Sequence, residues 1–546
     1  MVSFLVLGAA SVAAFSPRLP AGKKAGLRST TVADAPAVTA PAATQQPDKI
    51  SKEHPLRVMI AGAGVGGLTL ANLLRHCDHV DVTVIEKTNA FKRFGGPIQL
   101  ASNAMEIFKT QDRAVYDEIE AKFTWTGNLT NGIKDGLRDE WYAKFDLATP
   151  AADRGMPYTG VIERPDLQQI LLDSLKPGVV RNGNGIASYG EQCAVAGGVE
   201  LCPVVAKLDD GSEVATDCLI GADGIWSEVR AAMRSEPARG KGSGVSYSGY
   251  TVFAGELNYP SPDHGEVGYK VYIGPSQYFV ITDIGNERYQ WYAFLARPAG
   301  SSDLEEKPEG SAKYLKDIFT GWSPDVHAIL DYTREDEIQQ RDLYDRPPSA
   351  TKPWSIGPIA LLGDSVHAMM PNLGQGGCQA IEDAMVLAQE LQTLEKRSQV
   401  AGALERYRNR RLVRSAAVQG LSRFASDIII RGFDTPAKVS FENGIKFENC
   451  NYAGIVTRMM QPILPVFFKV QFNFLYEGWR NEAALDLKSG VPLALLGGLI
   501  LALGAGAVGD LAILLPLGIE SLGATELVAS ISEAAANVLP AVDGVL

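Results

Sequence analysis

Short apolar runs that stop at a glycine or an acid frame the first two thirds of this chain. Residues 57–60, 80–85, 218–220 and 359–362 are dominated by Val, Ile, Leu and other apolar side chains, the pattern of strands buried in a sheet. Helical spacing takes over at 68–75, at 162–172, from Ile381 through Met385 and Leu387, and over 401–430. In 162–172, Pro165 suits a first turn and Leu167, Ile170 and Leu171 share a face. Residues 179–216 alternate short apolar runs with Gly and Asp-Gly turns, as a small sheet of hairpins would. From 244 to 295 the period becomes two, rich in aromatic residues, as in Tyr269-Lys270-Val271-Tyr272-Ile273 and Gln290-Trp291-Tyr292-Ala293-Phe294. One wide antiparallel sheet requires that alternation. The predicted class is α/β: a Rossmann-like nucleotide-binding domain, an antiparallel-sheet second domain over about 244–345, and an apolar C-terminal tail.

Three of the apolar runs end in ligand-binding chemistry. The first leads into Gly62-Ala63-Gly64-Val65-Gly66-Gly67, with Gly62, Gly64 and Gly67 in the G-x-G-x-x-G places. A helix and a strand follow, closing at Glu86-Lys87, which sets an acid about 20 residues on for a ribose hydroxyl. The second reaches Asp223-Gly224. The third reaches Gly363-Asp364, where a carboxylate could hold a sugar hydroxyl, and then Pro371, Gly374, Gln375, Gly376 and Gly377 just before a helix. Those glycines let main chain approach a flat ring, and a helix N-terminus suits a ring that becomes anionic on reduction. A flavin is such a ring. The three strand ends are expected to converge on one FAD.

The three motifs resemble the fingerprints of class A flavoprotein monooxygenases, whose fold is of the aromatic hydroxylase type. Within that family, GGPIQLASNA at 95–104, YSGYTVFAGEL at 247–257, QWYAFLARPAG at 290–300, RDLYDRPP at 341–348 and GDSVHAMMPNLGQGGCQAIED at 363–383 resemble the zeaxanthin epoxidase branch. The resemblance covers about 56–421. It implies that Arg164 and Gln168 reach the FAD, that Asp223 serves both the pyrophosphate and the reductant, and that the wide sheet roofs the flavin. It further implies epoxidation of zeaxanthin to antheraxanthin and violaxanthin with molecular oxygen, and electrons from NADPH through ferredoxin. No side chain is expected as an acid, base or metal ligand, since the hard step belongs to the cofactor. Tyr278, Phe279, Trp291, Tyr292 and Phe294 either line the pocket or fill core. Arg93 either touches the flavin region or is solvated.

Composition narrows the rest. A chain of 546 residues, 46% hydrophobic, buries a large core, and its net charge of -12 excludes a nucleic-acid footprint. The six cysteines show neither a C-x-x-C pair nor disulfide density, so free thiols are expected. Residues 1–35 read as a plastid-targeting segment and 36–54 as a linker. The oxygenase unit is placed at 55–430, with 431–546 a membrane-associated region in which 489–509 carries no charge. A thylakoid membrane is the expected surface. The Arg406–Arg411 charge run reads as a solvated face, or as one that meets an acidic donor or anionic lipid. His367 beside Asp364-Ser365-Val366 lacks the G-x-S-x-G elbow of a hydrolase and reads as packed. Two other functions stay open: hydroxylation of another aromatic or isoprenoid substrate, and a flavoprotein that binds pigment without turnover. A small aromatic acid would call for a charged group in the pocket.

Overall fold

The computed structural model describes residues 46–89, 96–196, 199–274, 276–301, 307, 309–349, 351–434, 436–440, 446–451 and 464–478. The 1–35 segment, Arg93 and the uncharged stretch 489–509 lie outside the described residues.

A parallel sheet holds the centre. Its strands stand in the order Ile359–Leu361, Cys218–Gly221, Leu56–Ala61, Val80–Glu86 and Val180–Asn182, with Ser355–Ile356 antiparallel on the outside. The three strands that carry motifs are therefore immediate neighbours. Strands apolar on both faces need cover on both. The helices Val65–Leu74 and Gly376–Gln392 pack on one another, and Leu68, Leu70, Ile381 and Met385 share a core with Ile60 and Leu361. Gly66 permits that contact, because a Cβ there would stand 2.5 Å from Leu362 Cδ2 and 3.0 Å from Ala380 Cβ.

Hairpins form over 179–216 as the turns predict, and Ile186–Glu191, Val204–Leu208 and Glu213–Thr216 make a three-stranded sheet. The expectation of free thiols fails here. Cys193 and Cys202 are joined in a disulfide across the neck of the Ala194–Ala196/Val199–Leu201 hairpin. Antiparallel pairing sets Ala194 opposite Leu201, so the next positions outward face one another. Cys218 and Cys378 are buried free thiols and Cys77 is half-buried.

The wide sheet runs Gln339–Asp345, Ser246–Asn258, Arg288–Ala296, Gln277–Asp283, Val267–Gly274, Thr130–Asp135 and Trp141–Phe145. It corrects the expected boundary, since two strands come from residues 130–145, and the Val267–Gly274/Thr130–Asp135 pair is parallel rather than antiparallel. Period two sorts its side chains. Phe253, Tyr272, Phe279 and Trp291 pack on Leu315, Val326 and Ile329 of the helices Ser311–Ile318 and Pro324–Tyr332. Tyr250, Val252, Val271, Tyr278, Val280 and Phe294 gather on the other face with Met370.

The region expected to be a separate tail also begins differently. The helix Leu464–Glu477 docks on the nucleotide-binding core, where Phe474, Leu475 and Tyr476 are buried, and the Tyr476 hydroxyl lies 2.9 Å from Thr159 Oγ1. Protein covers those three side chains. Among the described residues, no helix is long and apolar enough to cross a membrane.

Candidate active site

The carboxyl ends of the three motif strands meet along one sheet edge. Gly62, at φ +109°, sits so close to the neighbouring loop that a Cβ would meet Ala222 O at 2.5 Å, and a Cβ on Gly67 would meet Gly62 O at 2.1 Å. Only glycine closes this turn. Gly64 and Gly224 are the opposite case, since a Cβ on either would meet open space. Glu86 accepts from Ala63 N at 2.8 Å and, with its other oxygen, from Thr88 N at 2.9 Å, so the acid expected at a ribose also braces the glycine turn. Gln168 Nε2 donates to Ala63 O at 3.3 Å, from the helix Arg164–Asp173. Lys87 is exposed, with its Cβ against Gly185. Asp223 Oδ2 accepts from Glu228 N at 2.8 Å and Val229 N at 3.2 Å, whereas Oδ1 is buried without a partner. Burial raises the Asp223 pKa, against the bonds from Ser227 and these amides.

Gly363, at φ +64°, turns the chain into the short helix Asp364–His367. Asp364 is exposed, yet the protein around it raises its pKa, opposed by His367 and Arg164. A carboxyl both crowded and exposed opens onto a cleft. The turn Pro371–Leu373 and the N-terminus of Gly376–Gln392 follow. Of the glycines expected against a ring, only Gly376 faces space, its nearest contact being Met369 Cγ at 4.0 Å. Gly374 and Gly377 are needed for protein packing instead, since a Cβ would stand 2.7 Å from the Gln99 side chain and from Ile98 Cδ1 respectively. Gln375 is buried and accepts from Asn103 Nδ2 at 3.2 Å, so its side chain faces protein.

Behind this loop lies a buried charge network that the sequence reading missed. Asp383 accepts from Gly363 N at 2.9 Å, Arg411 Nε at 2.7 Å and, at 2.6 Å, meets His367 Nε2. Glu382 binds Arg411, Arg414 and Asn103 at 2.6 to 2.7 Å, and Arg414 donates on to Phe474 O and Leu475 O. Burial pushes both acids up, but Arg414 and Arg411 hold Glu382 at about 2, and His367 and Arg411 hold Asp383 at about 2. Arg411 is thus interior rather than part of a solvated face. Arg406 remains exposed, paired with Glu390. Two adjacent acids inside the apolar run Ala380 to Met385 were a readable signal, because buried carboxylates require partners.

Across the cleft stands the Tyr278 face of the wide sheet, joined to the loop by the Tyr278 hydroxyl donating to Asn372 Oδ1 at 2.8 Å. Arg164 and Arg341 both lie close enough to Tyr292 to oppose the rise that burial gives its pKa. Arg164 Nε is buried without a partner, and no ion pair of Arg341 exists among the described residues. Burial and the neighbouring Arg164 lower the Arg341 pKa.

Adjacent parallel strands whose ends carry a glycine turn and two carboxylates define a dinucleotide-binding flavoprotein of the doubly wound type. The chain belongs to the FAD binding domain family, which matches residues 55–422. It is 41% identical over 381 residues to "Zeaxanthin epoxidase, chloroplastic" of Oryza sativa subsp. japonica, covering 68% of this chain and 55% of that protein. The protein of that name from Arabidopsis thaliana is 40% identical over 376 residues, covering 66% and 53%. The chain thus spans about half the length of the curated relatives it matches. Among solved structures, HpxO of Klebsiella pneumoniae complexed with FAD and uric acid aligns with TM-score 0.61 at 21% identity, covering 83% of this chain and 99% of that one. A salicylate hydroxylase substrate complex aligns with TM-score 0.60 at 20% identity, covering 81% and 98%. These two likenesses establish the aromatic-hydroxylase type of fold. The cofactor is FAD, and the residues present fit it: the unpartnered Asp223 Oδ1 and Arg164 Nε are buried polar atoms that need a ligand, and Gly64, Gly224 and Gly376 leave backbone open to one.

Proposed function

We propose that this chain is an FAD-dependent monooxygenase that epoxidises zeaxanthin to antheraxanthin and then violaxanthin. The observation that carries the reading is the juxtaposition of the Gly363–Gly377 loop with an apolar, aromatic sheet face across the Tyr278–Asn372 bond. A xanthophyll ring is apolar over most of its surface, which is what such a wall accepts. The relatives named above support the substrate. FAD, when bound, supplies the oxygen-activating chemistry. The chain's residues would hold and orient it: Glu86 at the ribose with Lys87 beside it, Gly64 at the pyrophosphate in the turn that Gly62 and Gly67 close, Gly66 letting the following helix pack, and Asp223, Gly224, Arg164 and Gln168 along the pyrophosphate and ribityl chain. Asp364 would take a ribityl hydroxyl, and Gly363, Pro371 and Gly374 to Gly377 would shape the ring loop. The aromatic wall excludes water from the reacting centre.

Electrons come from NADPH through reduced ferredoxin, the compartment is the plastid, and the thylakoid membrane supplies the pigment. A second reading, hydroxylation of a small aromatic acid, is favoured by Arg341, whose guanidinium has no ion pair among the described residues and lies near Tyr292. One assay decides. Purified chain with FAD, reduced ferredoxin and oxygen is offered zeaxanthin or an aromatic carboxylic acid, and products are separated by chromatography. Epoxidised pigment supports the first reading, a hydroxylated acid the second. Bound pigment without either product indicates a binding protein.

A further inference from the structure

Two phenols on the cleft side of the wide sheet make no hydrogen bond among the described residues. Tyr269 and Tyr292 are each only partly buried, and no hydrogen bond reaches either hydroxyl from a described residue. Their neighbour Tyr278 differs, since its hydroxyl donates to Asn372. The register places all three on one face: Tyr292 stands opposite Val280, Val280 opposite Val271, and Tyr269 opposite Thr282. An apolar bed of Val280 and Val271 therefore runs between the two unbonded rings, beside the stacked Tyr278–Phe294 pair, whose centroids are 4.1 Å apart. Tyr292 also borders the cofactor site, because a Cβ on Gly96 would meet its hydroxyl at 3.4 Å and Arg164 lies near both it and Asp364. A tyrosine phenol is protonated at neutral pH and so can donate, and burial raises the pKa of both further. Arg164 and Arg341 flank Tyr292, Val271 and Val280 flank Tyr269, and each hydroxyl is free to bond an oxygen that a ligand brings into the cleft.

We infer that Tyr269 and Tyr292 recognise the hydroxyl of the substrate's reacting ring, so that the pocket selects hydroxylated carotenoid rings over bare hydrocarbon rings. The inference rests on the xanthophyll reading above. It differs from a general preference for apolar pigment, because a site built to bond a hydroxyl discriminates against the analogue that lacks it. Aromatic area alone would take both.

The full chain with FAD bound is compared with Tyr269→Phe, Tyr292→Phe and the double variant, using zeaxanthin and β-carotene in liposomes. Pigment bound per protein is read by absorbance, KM and kcat for epoxide formation are measured separately, and FAD content and Tm are checked. The wild type is expected to favour zeaxanthin by roughly ten-fold or more. Each single variant should lose part of that preference through KM, and the double variant should treat the two pigments alike, with FAD content and Tm unchanged. If the double variant does not fold, the single variants decide. A preference that survives the Phe substitutions overturns this inference and leaves the xanthophyll reading standing. A wild type that binds neither pigment overturns both.

Discussion

Asp364 and Glu382 are carboxylates of one short segment driven in opposite directions by their surroundings. Asp364 opens onto the cleft with its pKa raised, whereas Glu382 is sealed between Arg411 and Arg414 and held at about 2. The open one is placed for a ligand. Asp364→Ala should weaken FAD binding by about 1.5–3 kcal/mol, the contribution of a charge-assisted hydrogen bond, and titration of the apoprotein with FAD measures it. Unchanged affinity would show the role is misassigned. The sealed acids predict a pH effect on stability. Because the folded pKa values of Glu382 and Asp383 lie below their ordinary values, their contribution is present above about pH 4 and is lost as pH falls through about 2. The Tm of the FAD-free chain should fall steeply over that window. In an Asp383→Asn variant the fall should be shallower, and an equally steep one would place the acid sensitivity elsewhere.

The network makes the ring loop, the long helix Val400–Asp434 and the docked helix Leu464–Glu477 act as one unit. Removing one partner leaves buried charge uncompensated, at a cost of about 3–5 kcal/mol. Arg411→Leu is therefore expected to lower Tm sharply and to release FAD with it, as followed by flavin fluorescence during thermal unfolding. A variant that melts like the wild type would show the network to be incidental. The same network marks how far the fold is legible in the sequence. The glycine turn, both carboxylate strand ends and the helix after Gly377 were legible because local backbone geometry demands those residue types. Arg411 was not, since a basic run on an amphipathic helix reads as solvated and its acids lie on another element. The pairing of Cys193 with Cys202 was not legible for a related reason: Gly197-Gly198 signals a hairpin, but the disulfide follows from its register, which places the two thiols opposite one another, and not from cysteine count or spacing. The aromatic strands were legible as strands only. Which of Tyr278, Phe279, Trp291, Tyr292 and Phe294 face the cleft follows from period two once one contact, Tyr278 to Asn372, fixes the sheet's orientation.

At the scale of the molecule, the nucleotide-binding core and the wide sheet enclose the cleft, and Phe474, Leu475 and Tyr476 belong to that core. We propose that residues beyond Lys488 hold the chain at the thylakoid membrane; truncation after Lys488 keeps this helix, so the shortened chain should still bind FAD while passing from the membranes to the soluble fraction. Truncated protein that stays with the membranes would move the anchor elsewhere. The central claim, that the cleft inserts oxygen into a xanthophyll ring, is tested most directly with isotopic oxygen. The FAD-loaded chain is given zeaxanthin, reduced ferredoxin and ¹⁸O₂, and the pigments are examined by mass spectrometry. The account predicts antheraxanthin carrying one ¹⁸O atom, followed by violaxanthin carrying two. Consumption of oxygen to hydrogen peroxide with zeaxanthin unchanged would contradict it.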